Sequence, residues 1–213
     1  MWRRISLCVA SVAGISLLAA CGGDVGSSPG NTALTKEGDG GSTASAGDSG
    51  GTSIDLESAT AAANLTDAEV LQVLIDASAG NTGIGILVSR CAQNPAVKTF
   101  AGEMATEHMT NEKRATELAG TLGISPADSA IAERLRSDAA NTQAELTATS
   151  PGPEFDRLYL QEFSSQHGEF LGCLDRMIET TDSPDIRMYL ADRRDEAEGD
   201  LRAGTSLLMT MER

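Results

Sequence analysis

From residue 65 to the C-terminus, apolar residues recur at steps of three and four with polar residues between them, and alternation at steps of two is scarcely present. That period belongs to the α-helix and predicts an all-α domain. The first helix, α1, is expected from Thr66 to about Gln93. Thr66-Asp67-Ala68-Glu69 reads as a capping box, a hydroxyl and a carboxylate three residues apart that satisfy free N–H groups, and Val70, Val73, Leu74, Ala77, Ile84, Leu87, Val88 and Cys91 fall on one stripe. Asn94 as N-cap and Pro95 in the first turn open α2, which carries Val97, Phe100, Ala101, Met104, His108, Ala115, Leu118 and Leu122 inward and ends at Gly123. Residues 128–148 form a more polar α3, whose large apolar residues are Ile131, Leu135 and Leu146. After Pro151-Gly152-Pro153, α4 runs to about Thr180 with Phe155, Tyr159, Phe163, His167, Phe170 and Leu174 among its inward positions. Ser183 and Pro184 open α5, which carries Ile186, Tyr189, Leu190, Leu201 and Leu208.

The openings of α2 and α5 match. Asn94-Pro95-Ala96-Val97-Lys98-Thr99-Phe100 and Ser183-Pro184-Asp185-Ile186-Arg187-Met188-Tyr189 share a cap, a proline, a β-branched residue, a base and an aromatic at equal spacing. The two helices are therefore candidates for equivalent positions in two halves of a bundle.

The first 64 residues follow other rules. Arg3 and Arg4 precede an apolar stretch over residues 5–18, the charged start and short apolar core of a secretory leader. Its last residues, Leu18-Ala19-Ala20-Cys21, resemble the bacterial lipoprotein box, so residues 1–20 are expected to be cleaved and Cys21 to be acylated. Gly22 stands where an aspartate would signal inner-membrane retention, which points to the outer membrane, facing the periplasm or the cell surface. Residues 21–64 read as a tether: Gly22 to Gly51 holds ten Gly and five Ser in 30 residues, too little apolar surface to offset the entropy of ordering. Residues 65–213 are the expected folded domain.

Charge narrows the partners. With 31 acidic against 16 basic residues the 213-residue chain carries −15, and nucleic-acid phosphates, which are bound by Lys and Arg releasing counterions, are excluded as partners. The membrane, reached through the lipid anchor, is the one partner the sequence indicates. No protein or small-molecule partner is specified.

A family resemblance rests on two spaced motifs: Val97-Lys98-Thr99-Phe100-Ala101 followed by Met104 and Glu107-His108, and Phe155-Asp156-Arg157-Leu158-Tyr159 with His167 eight residues on. Together they resemble the bacterial ferritin-like family of unknown function often labelled "predicted outer membrane protein", over about residues 65–208. The resemblance implies a ferritin-like four-helix bundle with an additional crossover helix, in an exported setting, and supplies no reaction. The chain departs from the pattern in α5. Where the family reads Leu-Pro-x-Leu-x-x-His, Arg194 to Asp200 stand here, and Asp200 takes the place of a third imidazole.

The candidate chemistry lies at mid-height. His108 is about 20 Å along α2 from Pro95, and His167 about 21 Å along α4 from Pro153. Parallel α2 and α4 would bring the imidazoles level, with Asn81 in α1 and Glu196 to Asp200 in α5 at the same height. Glu107 adjoins His108. Two readings stay open for this polar layer: structural histidines satisfied by carboxylates and an amide, or a metal site of His108 and His167 with Met104, four residues before His108 on the same face and suited to a soft ion. Ala105 and Ser164 stand where di-iron bundles carry the Glu of Glu-x-x-His, so standard di-iron chemistry has no support. Cys91 and Cys173 are expected as separate buried thiols, about 30 Å apart along the axis and beyond the roughly 7 Å Cα limit of a disulfide. No nucleophile motif or phosphate loop is present. The expectation is a non-enzymatic binding or stress-related module, with a metal-dependent oxidoreductase as the alternative.

Overall fold

The structure is a computed structural model and describes residue 62 and residues 64–211. The leader, Cys21 and almost all of the tether expected from the sequence lie outside the described residues.

Five helices and no strand form among the described residues: α1 Asp67–Cys91, α2 Pro95–Leu122, α3 Ala130–Ala148, α4 Pro153–Thr180 and α5 Pro184–Met211. Their ends are fixed by the residues that the pattern marks. The Thr66 hydroxyl accepts the Glu69 N–H at 3.4 Å while the Glu69 carboxylate accepts the Thr66 N–H at 2.8 Å, a complete capping box. Asn94 caps α2 by accepting the Ala96 N–H at 2.9 Å, and Gly123 closes it in the left-handed region, φ 66°. Two boundaries differ from expectation for a visible reason. Helix α1 stops at Cys91 because the Gln93 and Asn94 N–H groups donate to the Asp156 carboxylate at 3.1 and 2.6 Å, which ties the α1–α2 turn to the first turn of α4. Helix α3 starts at Ala130, capped by Ser129, because the Asp128 carboxylate turns to Arg136 at 2.8 Å.

Two apolar clusters divide the core and reveal the helix directions. One contains Val70 and Leu74 of α1, Ala115 and Ala119 of α2, Leu174 and Met177 of α4, and Ile186 and Leu190 of α5. The other contains Ile84 and Val88 of α1, Val97 to Met104 positions of α2, and Phe155, Tyr159, Leu160 and Phe163 of α4. Helices α2 and α4 both run from the second cluster to the first, so they are parallel. Helix α1 runs the other way, as does α3, with Ile131 in the first cluster and Leu146 in the second. The crossover by α3 carries the chain back so that α4 can repeat the direction of α2. Pairing is closest within α1–α2 and within α4–α5, with α3 laid along α1.

Helix α1 is long and apolar enough to cross a membrane, with a mean hydropathy of 1.3 over its best window. Here its apolar residues face the bundle, and its Asp76 pairs with Arg136 of α3 at 2.5 Å. Glycines allow its close contacts. A Cβ at Gly85 would meet the Ala101 carbonyl oxygen at 2.7 Å, one at Gly80 would meet the Ala139 Cβ at 2.7 Å, and one at Gly83 would run into the Gln143 amide.

Cys173 is a free thiol, so no bond joins it to Cys91, as the axial separation requires. Both cysteines are half-buried rather than buried as expected.

Glycine substitutions separate packing from backbone freedom. Gly85→Ala forces side-chain volume against backbone and should cost about 1–3 kcal/mol. Gly172→Ala, in α4 with no atom within 4 Å of the new Cβ, should stabilise by about 0.5–1 kcal/mol through the unfolded chain's lost freedom. Urea denaturation of both variants checks this; equal effects of one sign would refute the close-approach account.

Candidate functional site

Between the two apolar clusters lies a polar layer. His108 and Asn111 of α2, His167 of α4, and Arg193 and Asp200 of α5 are all buried. These positions continue the inward stripes of their helices: on α5 the sequence Ile186, Tyr189, Leu190, Arg193, Ala197, Asp200, Gly204 stays on the core face while its chemistry changes from apolar to ionic.

The imidazoles meet. The ring centres of His108 and His167 are 5.6 Å apart with planes at 62°, and the His167 ring stacks on Phe163 at 3.8 Å. His167 Nδ1 lies 3.0 Å from the Phe163 carbonyl oxygen. A carbonyl only accepts, so the proton is on Nδ1, and the neutral ring keeps its lone pair on Nε2. Both ring nitrogens of His108 are buried with no hydrogen-bond partner in the protein. Burial holds His108 well below the ordinary histidine value, with further lowering from His167 and Arg193. Burial likewise brings His167 down to about 4, against a smaller opposing effect of the Phe163 carbonyl. Both rings are therefore neutral at pH 7.

The charge in the layer is internally balanced. Arg193, 2% exposed, reaches Glu107 of α2 at 3.5 Å and also pairs with Glu196 one turn along α5. Glu196 in turn accepts from Arg114 at 3.1 Å, and Arg114 lies over the Tyr189 ring at 5.1 Å. The Tyr189 hydroxyl donates to the Asn111 carbonyl oxygen at 2.8 Å. Burial and then the neighbouring Glu107 raise the Asp200 carboxyl to about 7, and one of its oxygens has no partner. Burial raises the Tyr159 phenol as well, with Asp200 adding to the effect.

Of the residues singled out from the sequence, the structure brings together His108, His167, Glu107, Glu196 and Asp200. Met104 is buried one turn before His108, in the cluster that holds Phe100 and Phe163. Asn81 does not join the imidazoles by a hydrogen bond: its amide donates to the Ala77 carbonyl oxygen one turn back in α1, at 3.0 Å. Arg193 is the residue sequence reasoning missed. It sits among Asp192, Arg194, Asp195 and Glu196, a run that reads as solvated surface, and its only signal is its place on the stripe of Tyr189 and Leu190. Among the described residues, no three His, Cys, Asp or Glu side chains converge to hold a metal ion.

Outside the layer, a groove of about 520 Å³ runs along α2 to α5, lined by Thr99, Glu103, Glu107, Asn111, Arg114 and Glu196 among others. Glu107 and Glu196 thus face the groove while Arg193 holds them from within.

The model of a family described as a domain of unknown function (DUF4142) matches residues 54–207. No curated protein and no solved structure matches the chain.

The Asp200 carboxyl makes a signed prediction. Its folded value of about 7 exceeds the unfolded 3.8, so the unfolded chain releases this proton first, and the contribution to stability falls as pH rises from about 4 to 7. Asp200→Asn removes that loss. Allowing for residual solvent access, the variant should be more stable than wild type at pH 8 by on the order of 1 kcal/mol, about 2–4 °C, and equal to it near pH 4. A variant less stable at pH 8 would make Asp200 an ionised partner of Arg193.

Proposed function

We propose that this chain, which belongs to the DUF4142 family, is a lipid-anchored module of the bacterial cell envelope, a ferritin-like bundle that binds rather than converts, with its site in the His108/His167 layer. The observation that carries the reading is His108, whose two ring nitrogens lie in the interior with no protein partner. Buried polar groups are almost always satisfied, and one that is not marks a place where water, an ion or a small molecule belongs.

Several features support the wider reading. The α3 crossover, which makes α2 and α4 parallel, is the connection that ferritin-like bundles use. The leader and the Leu18-Ala19-Ala20-Cys21 box favour export and acylation, and Gly22 favours the outer membrane. Ala105 and Ser164 replace the bridging glutamates of di-iron sites, and the half-buried Glu107 and Glu196 already pair with Arg193. The layer presents two neutral imidazoles held by the surrounding packing, an arrangement suited to holding a ligand.

Two measurements test this reading. Native mass spectrometry with elemental analysis, on protein purified from the envelope without added ligand, should find a species present in wild type and lost in both His108→Ala and His167→Ala. An identical spectrum for all three would end the binding assignment. For the anchor, Cys21→Ser should shift the protein from the membrane fraction to the soluble one; an unacylated Cys21 in membrane-bound wild type would contradict it.

A further inference from the structure

We propose that Met104, His108 and His167 form a site for one soft monovalent metal ion, Cu(I). The inference rests on the mid-bundle binding reading and names its ligand.

The two nitrogen donors are prepared. His167 donates Nδ1–H to the Phe163 carbonyl oxygen, which fixes its tautomer and leaves the Nε2 lone pair free, the arrangement common to metal-bound histidines. His108 keeps a lone pair that nothing in the protein uses. A ring nitrogen lies about 1.1 Å from its ring centre and a metal–nitrogen bond is about 2.0 Å, so two imidazoles on one ion in line stand about 6 Å apart. The observed 5.6 Å fits a bent pair, open on its outer side to a third ligand. Met104, buried one helical turn from His108 on the same face, offers a thioether from the aromatic cluster beneath the layer.

The same surroundings disfavour harder or more highly charged ions. Glu107 and Glu196 are committed to Arg193, and no three His, Cys, Asp or Glu side chains converge among the described residues. The Arg193 guanidinium acts on both rings, and its repulsion is twice as large for a divalent ion as for a monovalent one. Two neutral nitrogens and a thioether are a donor set that selects Cu(I).

The test is an anaerobic Cu(I) competition against a chromophoric chelator, using the full chain in detergent with Cys173→Ser to remove the free thiol as a rival ligand. One Cu(I) per chain is expected, with affinity at least a hundredfold weaker in His108→Ala and His167→Ala and about tenfold weaker in Met104→Leu. X-ray absorption of the loaded chain, which needs no layer variant to fold, should show two imidazole nitrogens and one sulfur. No Cu(I) uptake, equal uptake in the His108/His167 double variant, or a sulfur-only shell would each overturn the proposal. A native species that depends on His108 but is not copper would end the copper assignment and leave the binding reading standing; absence of both ends both.

Discussion

Burying a guanidinium in a helical bundle costs several kcal/mol unless its charge is met by well-placed partners, and the middle of this domain is organised by that requirement. Arg193 is met by Glu107 from α2 and Glu196 from its own helix. The pairing with Glu107 joins α5 to α2, and therefore one helical hairpin to the other, at a height where apolar contact gives way to ionic contact. Arg114 and Tyr189 extend the network toward solvent. Desolvation above all, with a smaller push from the Arg193 guanidinium, holds both rings neutral.

The apolar clusters on either side depend on the same layer. Each hairpin packs tightly within itself, helped in α1–α2 by Gly85, while contact between hairpins goes through large side chains: Phe100 against Phe163 at 4.9 Å, Phe100 against Tyr159 at 6.3 Å, and the histidine pair. Such filling joins α2 to α4 through the middle of the bundle. Asp156 at one end of the bundle, on the Gln93 and Asn94 N–H groups, and Thr181 at the other, bonded to Asp67 at 2.7 Å, fix the hairpins in register. The levels of His108 and His167 are set by those end contacts as much as by the rings themselves.

Much of this was legible in the chain. Caps and breakers are local chemistry, so Thr66 with Glu69, Asn94, Gly123 and Pro153 mark the helix ends to within a residue or two. The rise of an α-helix is constant, so equal distances from Pro95 and Pro153 bring His108 and His167 to one height once α2 and α4 are parallel. Partners that depend on neighbours distant in sequence were not legible. Asp156 shortens α1 from 62 residues away, Asn81 turns back to its own helix, and Arg193 is hidden in a run of charges whose inward member only the three-dimensional stripe distinguishes.

The central claim is that the layer is desolvated and keeps both imidazoles neutral beside an arginine. The most direct test is NMR titration of the His108 and His167 ring resonances in the folded chain. The account predicts that both rings remain neutral at pH 6, with His167 protonating only near pH 4 and His108 also well below 6.5. Two independent titrations near the ordinary value of about 6.5 would show solvated rings and contradict it.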